Sequence, residues 1–291
     1  MRTISKCCLI FTFILVILGI TVFILTFTNN YREHLEGVHK RLNRAVIVEP
    51  REHIALEAVL RNIVKKMNIP ITIVHGINNK EFVENIASRI PQVDIMTEIN
   101  AENLNAGTYS QLLMDLEFWE NIGVDENDHI LIFQTDSGIC GKGLDIHNYS
   151  QYDYCGAPWK KSLQMSVKVG NGGFSIRSVA HAKKHIRGHD PSKTWRRNED
   201  IVFAKWCAED STCKVCPLGA ARKFANETYP DKSAAFHNNW KHHSVSSCSF
   251  NQKIKKLNKQ QPSVDWSPPN VSWVPTFHMR LKPKRLSKMF T

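Results

Sequence analysis

The sequence of 291 residues lacks two signatures of nucleotide enzymes: neither G-x-x-x-x-G-K-[ST] nor G-x-G-x-x-G occurs, which sets aside P-loop and dinucleotide-binding readings. It also lacks charge where a core would sit. Of 38 basic and 27 acidic residues, the two ends (1–44 and 246–291) take 15 and 3, so residues 45–245 keep 23 and 24 and are almost neutral. A net charge of +11 therefore describes basic ends and not a basic body. With no basic stripe interleaved with aromatics, nucleic acid is not an expected partner. A zinc framework is absent too. Cys207, Cys213 and Cys216 form C-x5-C-x2-C, but no second CxxC or H-x3-H follows at ligand spacing, so disulfides are expected in preference to structural zinc. What remains is 42% hydrophobic, enough for a core and too much for a disordered chain.

Long apolar runs are confined to one place. Between Lys6 and Arg32 there is no charged residue, and Leu9 to Phe27 is nearly all Leu, Ile, Val, Phe and Thr. At about 1.5 Å per residue a helix of this length spans the roughly 30 Å hydrocarbon layer. Asn29-Asn30-Tyr31 offers no small-residue cleavage site, which favours an uncleaved signal anchor over a signal peptide. The organisation expected is a cytosolic tail (1–6), a transmembrane anchor (7–30), a basic stalk (31–44), a folded domain (45–245) and a basic, Pro-containing tail (246–291).

Counting Lys and Arg alone would put the body in the cytosol. Three sequons, at Asn148, Asn226 and Asn270, and an even number of Cys beyond the anchor argue for the other side. We therefore expect a single-pass type II protein with its body in the Golgi or endoplasmic reticulum lumen, contacting the bilayer through residues 7–30.

Within the body, Ala45-Val-Ile-Val48 reads as a strand, the pattern from Ile54 to Val64 as a helix, and Ile71-Thr-Ile-Val74 as a second strand: a βαβ unit. A helix around Phe82–Ala87, a strand at Val93–Met96, a helix over Tyr109–Trp119 and a strand at His129–Phe133 continue the alternation. The expectation is a three-layer α/β domain with ligand loops at the carboxyl ends of its strands. Those ends are polar: Glu49-Pro50-Arg51, His75-Gly76, and Gln134-Thr135-Asp136-Ser137. Asp136 reads as a ligand-site carboxylate, against the alternative of a turn cap. Gly170, Gly172 and Gly173 permit close backbone approach or a bulge. Glu199 and Asp200 stand in the first turn of a helix, where the dipole alone accounts for carboxylates and a catalytic base is the functional alternative. His237 follows late in the chain.

Taken in order, Ala45-Val-Ile-Val-Glu-Pro-Arg51, Phe133-Gln-Thr-Asp-Ser137, Tyr152-Asp-Tyr-x-Gly-Ala-Pro-Trp159, Val169-Gly-Asn-Gly-Gly-Phe-Ser-Ile-Arg177 and Glu199-Asp-Ile-Val-Phe203 resemble an uncharacterised domain family with glycosyltransferase-like features. The resemblance covers about 45–240. It implies a GT-A-type fold with a mixed central sheet, and a transferase acting on a nucleotide-sugar donor and a glycan, glycoprotein or glycolipid acceptor. By analogy Asp136 is the DxD-like ligand of a divalent ion, Mn²⁺ or Mg²⁺, and His237 its late partner. Asp200 is the base with Glu199 beside it, and Glu49, Arg51, Gln134, Ser137, Gly172 and Gly173 face the donor. Thr135-Asp136-Ser137 carries one carboxylate where DxD has two, and diphosphate oxygens and water can complete such a site. The rival expectation is a catalytically inactive carbohydrate-binding or scaffold protein of the same fold. Convergence of Asp136, Asp200 and His237 on one pocket would favour the enzyme.

Overall fold

The computed structural model describes residues 21, 42–140, 145–159, 167–189, 198–227, 233–238, 248–263 and 272. The expected cytosolic tail and anchor lie outside these residues apart from Thr21, as do the sequon at Asn270 and nearly all of the chain beyond Ser263. Among the described residues no helix is long and apolar enough to cross a membrane.

The body is an α/β fold around a mixed six-stranded sheet. In chain order, β1 is Leu42–Val48, α1 Leu56–Met67, β2 Ile71–Gly76, α2 Lys80–Ala87, β3 Val93–Ile99, α3 Ala106–Leu113, α4 Leu116–Asn121, β4 His129–Phe133 and β5 Ser137–Ile139. A 3-10 turn, Ile146–Gln151, leads to β6 Tyr154–Pro158, β7 Val169–Ser178, α5 Val179–Gly188, α6 Glu199–Glu209 and α7 Leu218–Phe224. Then come β8 Ala225–Asn226, β9 Ala235–His237 and α8 Ser249–Gln260. The large sheet runs β3-β2-β1-β4-β7-β6, and a small one runs β5-β9-β8. Strands β1 to β4 are parallel, and β7 lies antiparallel between β4 and β6.

Parallel strands buried on both faces explain the uninterrupted apolar runs. Ala45 and Ile47 enter one core with Leu56, Val59, Leu60 and Ile63 of α1, while Val46 and Val48 enter the other with Leu113, Trp119 and Phe203. Two helical layers therefore sandwich the sheet. Helix α1 shows its reason in the sequence: its buried apolar positions 56, 59, 60, 63 and 67 follow helical periodicity. It stops where Asn68 turns left-handed at φ 49°.

The chain builds outward from β1 to β3 and then returns to β4 on β1's other side, so the sheet has its switch point between β1 and β4. Ligands bind at such a crevice outside the carboxyl strand ends. Both polar tails, Glu49 to Arg51 and Gln134 to Asp136, emerge there.

Three expectations change and one becomes specific. The helix read over Tyr109–Trp119 is two helices, because the Asp115 side chain accepts from Glu117 N–H and starts α4 afresh. The glycine segment lies within strand β7, whose residues 174–178 pair with β4, while 170–173 run past that pairing and meet β6 in irregular register. Part of the expected tail is a docked helix: α8 begins at Cys248, disulfide-bonded to Cys140, and buries Ile254 in the core. Finally, Asn226 is 1% exposed within β8, so in the folded chain that sequon is closed to an oligosaccharide, whereas Asn148 is exposed. Cys207 and Cys213 form the second disulfide, and Cys155 and Cys216 are buried thiols.

Candidate functional site

A cleft of about 740 Å³ opens at the switch point, lined by both strand ends, the β7 glycines, the start of α6, Glu227, His237 and the end of α8. Asp136, Asp200 and His237 all line it, as do Glu49, Arg51, Gln134, Gly172, Gly173 and Glu199. Ser137 does not. It is fully buried, its hydroxyl donating to Gln134 O (2.7 Å) and accepting from Gln134 N–H (3.1 Å). Its place is inside the turn that presents Asp136, which corrects the expectation that it faces a donor.

Gly172 and Gly173 of β7 are explained by close approach. A β-carbon at 172 would stand 2.6 Å from Glu199 Oε1 and 2.9 Å from Asp200 Cβ, and one at 173 would fall on the imidazole of His237. Their absence of side chain lets α6 and β9 press against β7.

At the start of α6 the two carboxylates have different tasks. Glu199 is buried, accepting from Arg177 Nη2 (2.9 Å) and from the Ser110 hydroxyl (3.0 Å). Arg177, itself 1% exposed, lies over the rings of Tyr154 and Phe203. Burial works against the Arg177 charge, and the neighbouring Tyr154 and Glu199 more than offset it, raising its pKa. Glu199 is thus committed to an internal ion pair and does not stand ready beside Asp200 as a second base. Asp200 accepts from Gly172 N–H (3.1 Å) and Ile201 N–H (2.7 Å). Burial first, and the Glu199 charge second, push its carboxyl up to about 6.

On the other wall, Arg51 is clamped by Glu49 through two bonds (2.7 and 2.8 Å), and Thr135 Oγ1 lies 3.3 Å from Glu49 Oε2. Burial opposes the Arg51 charge, while the bonds to Glu49 raise its pKa overall. His53, buried at the cleft edge, is held below the ordinary imidazole value by desolvation.

His237 Nε2 lies 3.0 Å from Gln134 Oε1 and 3.5 Å from Asp136 Oδ1, while its Nδ1 lies 3.9 Å from Glu227 Oε1. Glu227 Oε2 accepts from Asn171 Nδ2 (2.7 Å). Among the described residues, Asp136 Oδ1 and His237 Nδ1 are both buried without a hydrogen-bond partner. Asp136 Oδ1 and the Nε2 edge of His237 offer a carboxylate and an imidazole to a divalent cation, while Glu227 stands against the opposite ring nitrogen, where it would orient the imidazole. The cleft as a whole is acidic: among the described residues lining it, Glu49 is paired with Arg51 and Glu199 with Arg177, which leaves Asp136 and Asp200 with no ion pair to Lys or Arg, and Glu227 adds a further carboxylate.

Glu227, Asn171, His53, Tyr109 and Asn258 also line the cleft and escaped the sequence reading. Glu227 lay hidden inside the sequon Asn226-Glu227-Thr228; the others carried no local signal. Elsewhere, Asp153, His181 and Cys213 bring potential ligand atoms within 4.8 Å of one another. Cys213 is bonded to Cys207, so no thiolate is offered there.

A family model described as "Protein of unknown function (DUF5672)" matches residues 95–245. No curated protein matches the chain. Among solved structures, the apo-form glycosyltransferase GlyE of Streptococcus pneumoniae TIGR4 is similar at 10% identity and a TM-score of 0.45, covering 74% of this chain and 60% of that one. A second GlyE structure from the same organism gives 11% identity and a TM-score of 0.42, with the same coverage of 74% and 60%. The chain therefore spans about 60% of the length of these GlyE chains.

Proposed function

The chain belongs to the DUF5672 family, and we propose that it is a glycosyltransferase moving a sugar from a nucleotide-sugar donor to an acceptor hydroxyl. One observation carries the reading: Asp136, Asp200 and His237, drawn from a strand end, a helix start and a separate small sheet, line one cleft at the switch point.

Asp200 is the general base. With its pKa near 6 it is mostly ionised at neutral pH, yet more basic than an ordinary carboxylate. The acceptor hydroxyl attacks the anomeric carbon, its proton passes to Asp200, and the bond from that carbon to the diphosphate oxygen breaks with both electrons leaving on the nucleoside diphosphate. Direct displacement with one base inverts the anomeric centre. Gly172 and Ile201 N–H groups aim the base, and the Arg177–Glu199 pair fixes the helix start that carries it.

Asp136 and His237, through Nε2, would hold a divalent cation, Mn²⁺ or Mg²⁺, which when bound supplies charge neutralisation for the diphosphate, and Glu227 on the Nδ1 side would orient the ring. A cleft this acidic repels a bare diphosphate, so donor binding should require the cation. The remaining roles are donor contacts from Arg51, Gln134, Gly172 and Gly173, with Glu49 orienting Arg51.

We further propose that residues 7–30 anchor the protein as a type II membrane protein, with the body in the lumen of the Golgi or endoplasmic reticulum. The two disulfides support an oxidising compartment.

The test is a donor screen on residues 31–291, reading nucleoside-diphosphate release with and without Mn²⁺. Release from one donor only when Mn²⁺ is present is expected. Sugar binding without release from any nucleotide sugar would favour the inactive carbohydrate-binding alternative.

A further inference from the structure

Helix α8 lies beyond the family-matched segment, which ends at 245, and beyond the domain boundary expected from sequence. It is nevertheless fixed to the site by independent contacts. Cys248 at its start is bonded to Cys140, just past β5. Phe250 takes the space a side chain at Gly138 would need, and Ile254 is fully buried. At its far end Asn258 Nδ2 donates to Thr135 O (3.0 Å) and to Ile254 O (3.0 Å) of its own helix. Just beyond, Gln261 Oε1 accepts from Ile54 N–H (2.9 Å). Asn258, Gln261, Pro262 and Ser263 line the cleft.

Thr135 O belongs to the peptide that leads into Asp136. The turn carrying Asp136 is also held by Ser137 N–H to Gln134 O (3.1 Å), Gln134 N–H to Ser137 Oγ (3.1 Å) and Asn238 N–H to Asp136 O (3.1 Å), besides the Ser137 hydroxyl bond to Gln134 O and the Thr135 hydroxyl bond to Glu49. The first two bonds lie within the turn, and the third comes from the end of β9. The Asn258 bond comes from a different element, which the Cys140–Cys248 disulfide keeps in place.

We infer that α8 is a fixed wall of the cleft and that Asn258 is a positioning residue, setting the turn that presents Asp136. The consequence for turnover rests on the transferase reading; the structural claim does not. Asn258→Asp keeps the shape of the side chain but puts an acceptor where the donor stood. In the full-length protein we expect amide hydrogen exchange at Ser137 and Asn238 to quicken about tenfold, with α8 and β1 unchanged. The donor KM should rise by a similar factor, about tenfold, while kcat falls less. Asn258→Ala, which adds no charge, should move both in the same direction by a smaller factor, and serves if the Asp variant does not fold.

Unchanged exchange at Ser137 and Asn238 in both variants would overturn the inference. So would quickening spread evenly over α8 and the sheet, since Asn258 would then be a general prop. If the wild type releases no nucleoside diphosphate from any donor, the transferase reading fails, and the exchange data alone decide the role of Asn258.

Discussion

The imidazole of His237 occupies the space that a β-carbon at position 173 would fill. This one contact ties β9 to β7 and sets where the histidine stands relative to Asp136. Gly173→Ala should displace the ring, destabilising the fold by about 1–3 kcal/mol through overpacking and removing most cation-dependent donor binding. Thermal denaturation and a Mn²⁺ titration check this. A variant with wild-type melting and wild-type Mn²⁺ affinity would mean that the ring has room the geometry denies it.

Asp200 links pH to stability. Its carboxyl titrates near 6 in the fold, against an ordinary 3.8. Between those values the folded chain retains a proton that the unfolded chain has lost, so stability falls as pH rises through this window and stays at the lower level above it. Asp200→Asn should therefore raise stability above pH 7 by on the order of 2 kcal/mol and change it little near pH 4. Donor-dependent turnover of the wild type should rise as pH passes about 6, and the variant should lose it. A variant no more stable than wild type at pH 7 would refute the burial account.

The Arg177–Glu199 pair separates structure from chemistry. Arg177→Ala leaves Glu199 buried without its partner and should cost about 3–5 kcal/mol. Glu199→Gln keeps the bond to the Ser110 hydroxyl and should retain measurable turnover, in contrast to Asp200→Asn. Equal loss of kcat in Glu199→Gln and Asp200→Asn, with both proteins folded, would return Glu199 to the catalytic group.

Asp136 and Glu227 are the carboxylates beside His237. Asp136→Ala should abolish donor-dependent turnover, and Glu227→Gln should raise the Mn²⁺ concentration needed for half-maximal binding about tenfold. Binding is followed by titration calorimetry without donor, so the outcome does not depend on turnover. Unaltered Mn²⁺ affinity in both variants would remove them from the cation site.

Much of this was written locally. Apolar β-branched runs marked β1, β2 and β4 because a strand buried on both faces needs no polar alternation. The polar residues closing those runs, Glu49, Arg51 and Asp136, were visible for the same reason, since the hydrophobic pattern stops where they begin. Helix α1 announced itself by period, and the acidic start of α6 by Glu199-Asp200.

Other features depend on which distant segments meet. Ser137 sits one residue from Asp136, yet turns inward because its hydroxyl closes the turn on Gln134. Glu199 and Asp200 are adjacent, yet one meets Arg177 and the other Gly172. Glu227 reaches His237 because β8 pairs with β9, and Asn258 reaches Thr135 across 123 positions of sequence. The sequence by itself determined the alternation of strands and helices and the polar ends of β1 and β4, because burial periodicity is a local property. Only the tertiary structure decided which carboxylates face the cleft and which are neutralised, because that depends on side chains brought together by the sheet order and the docking of α8.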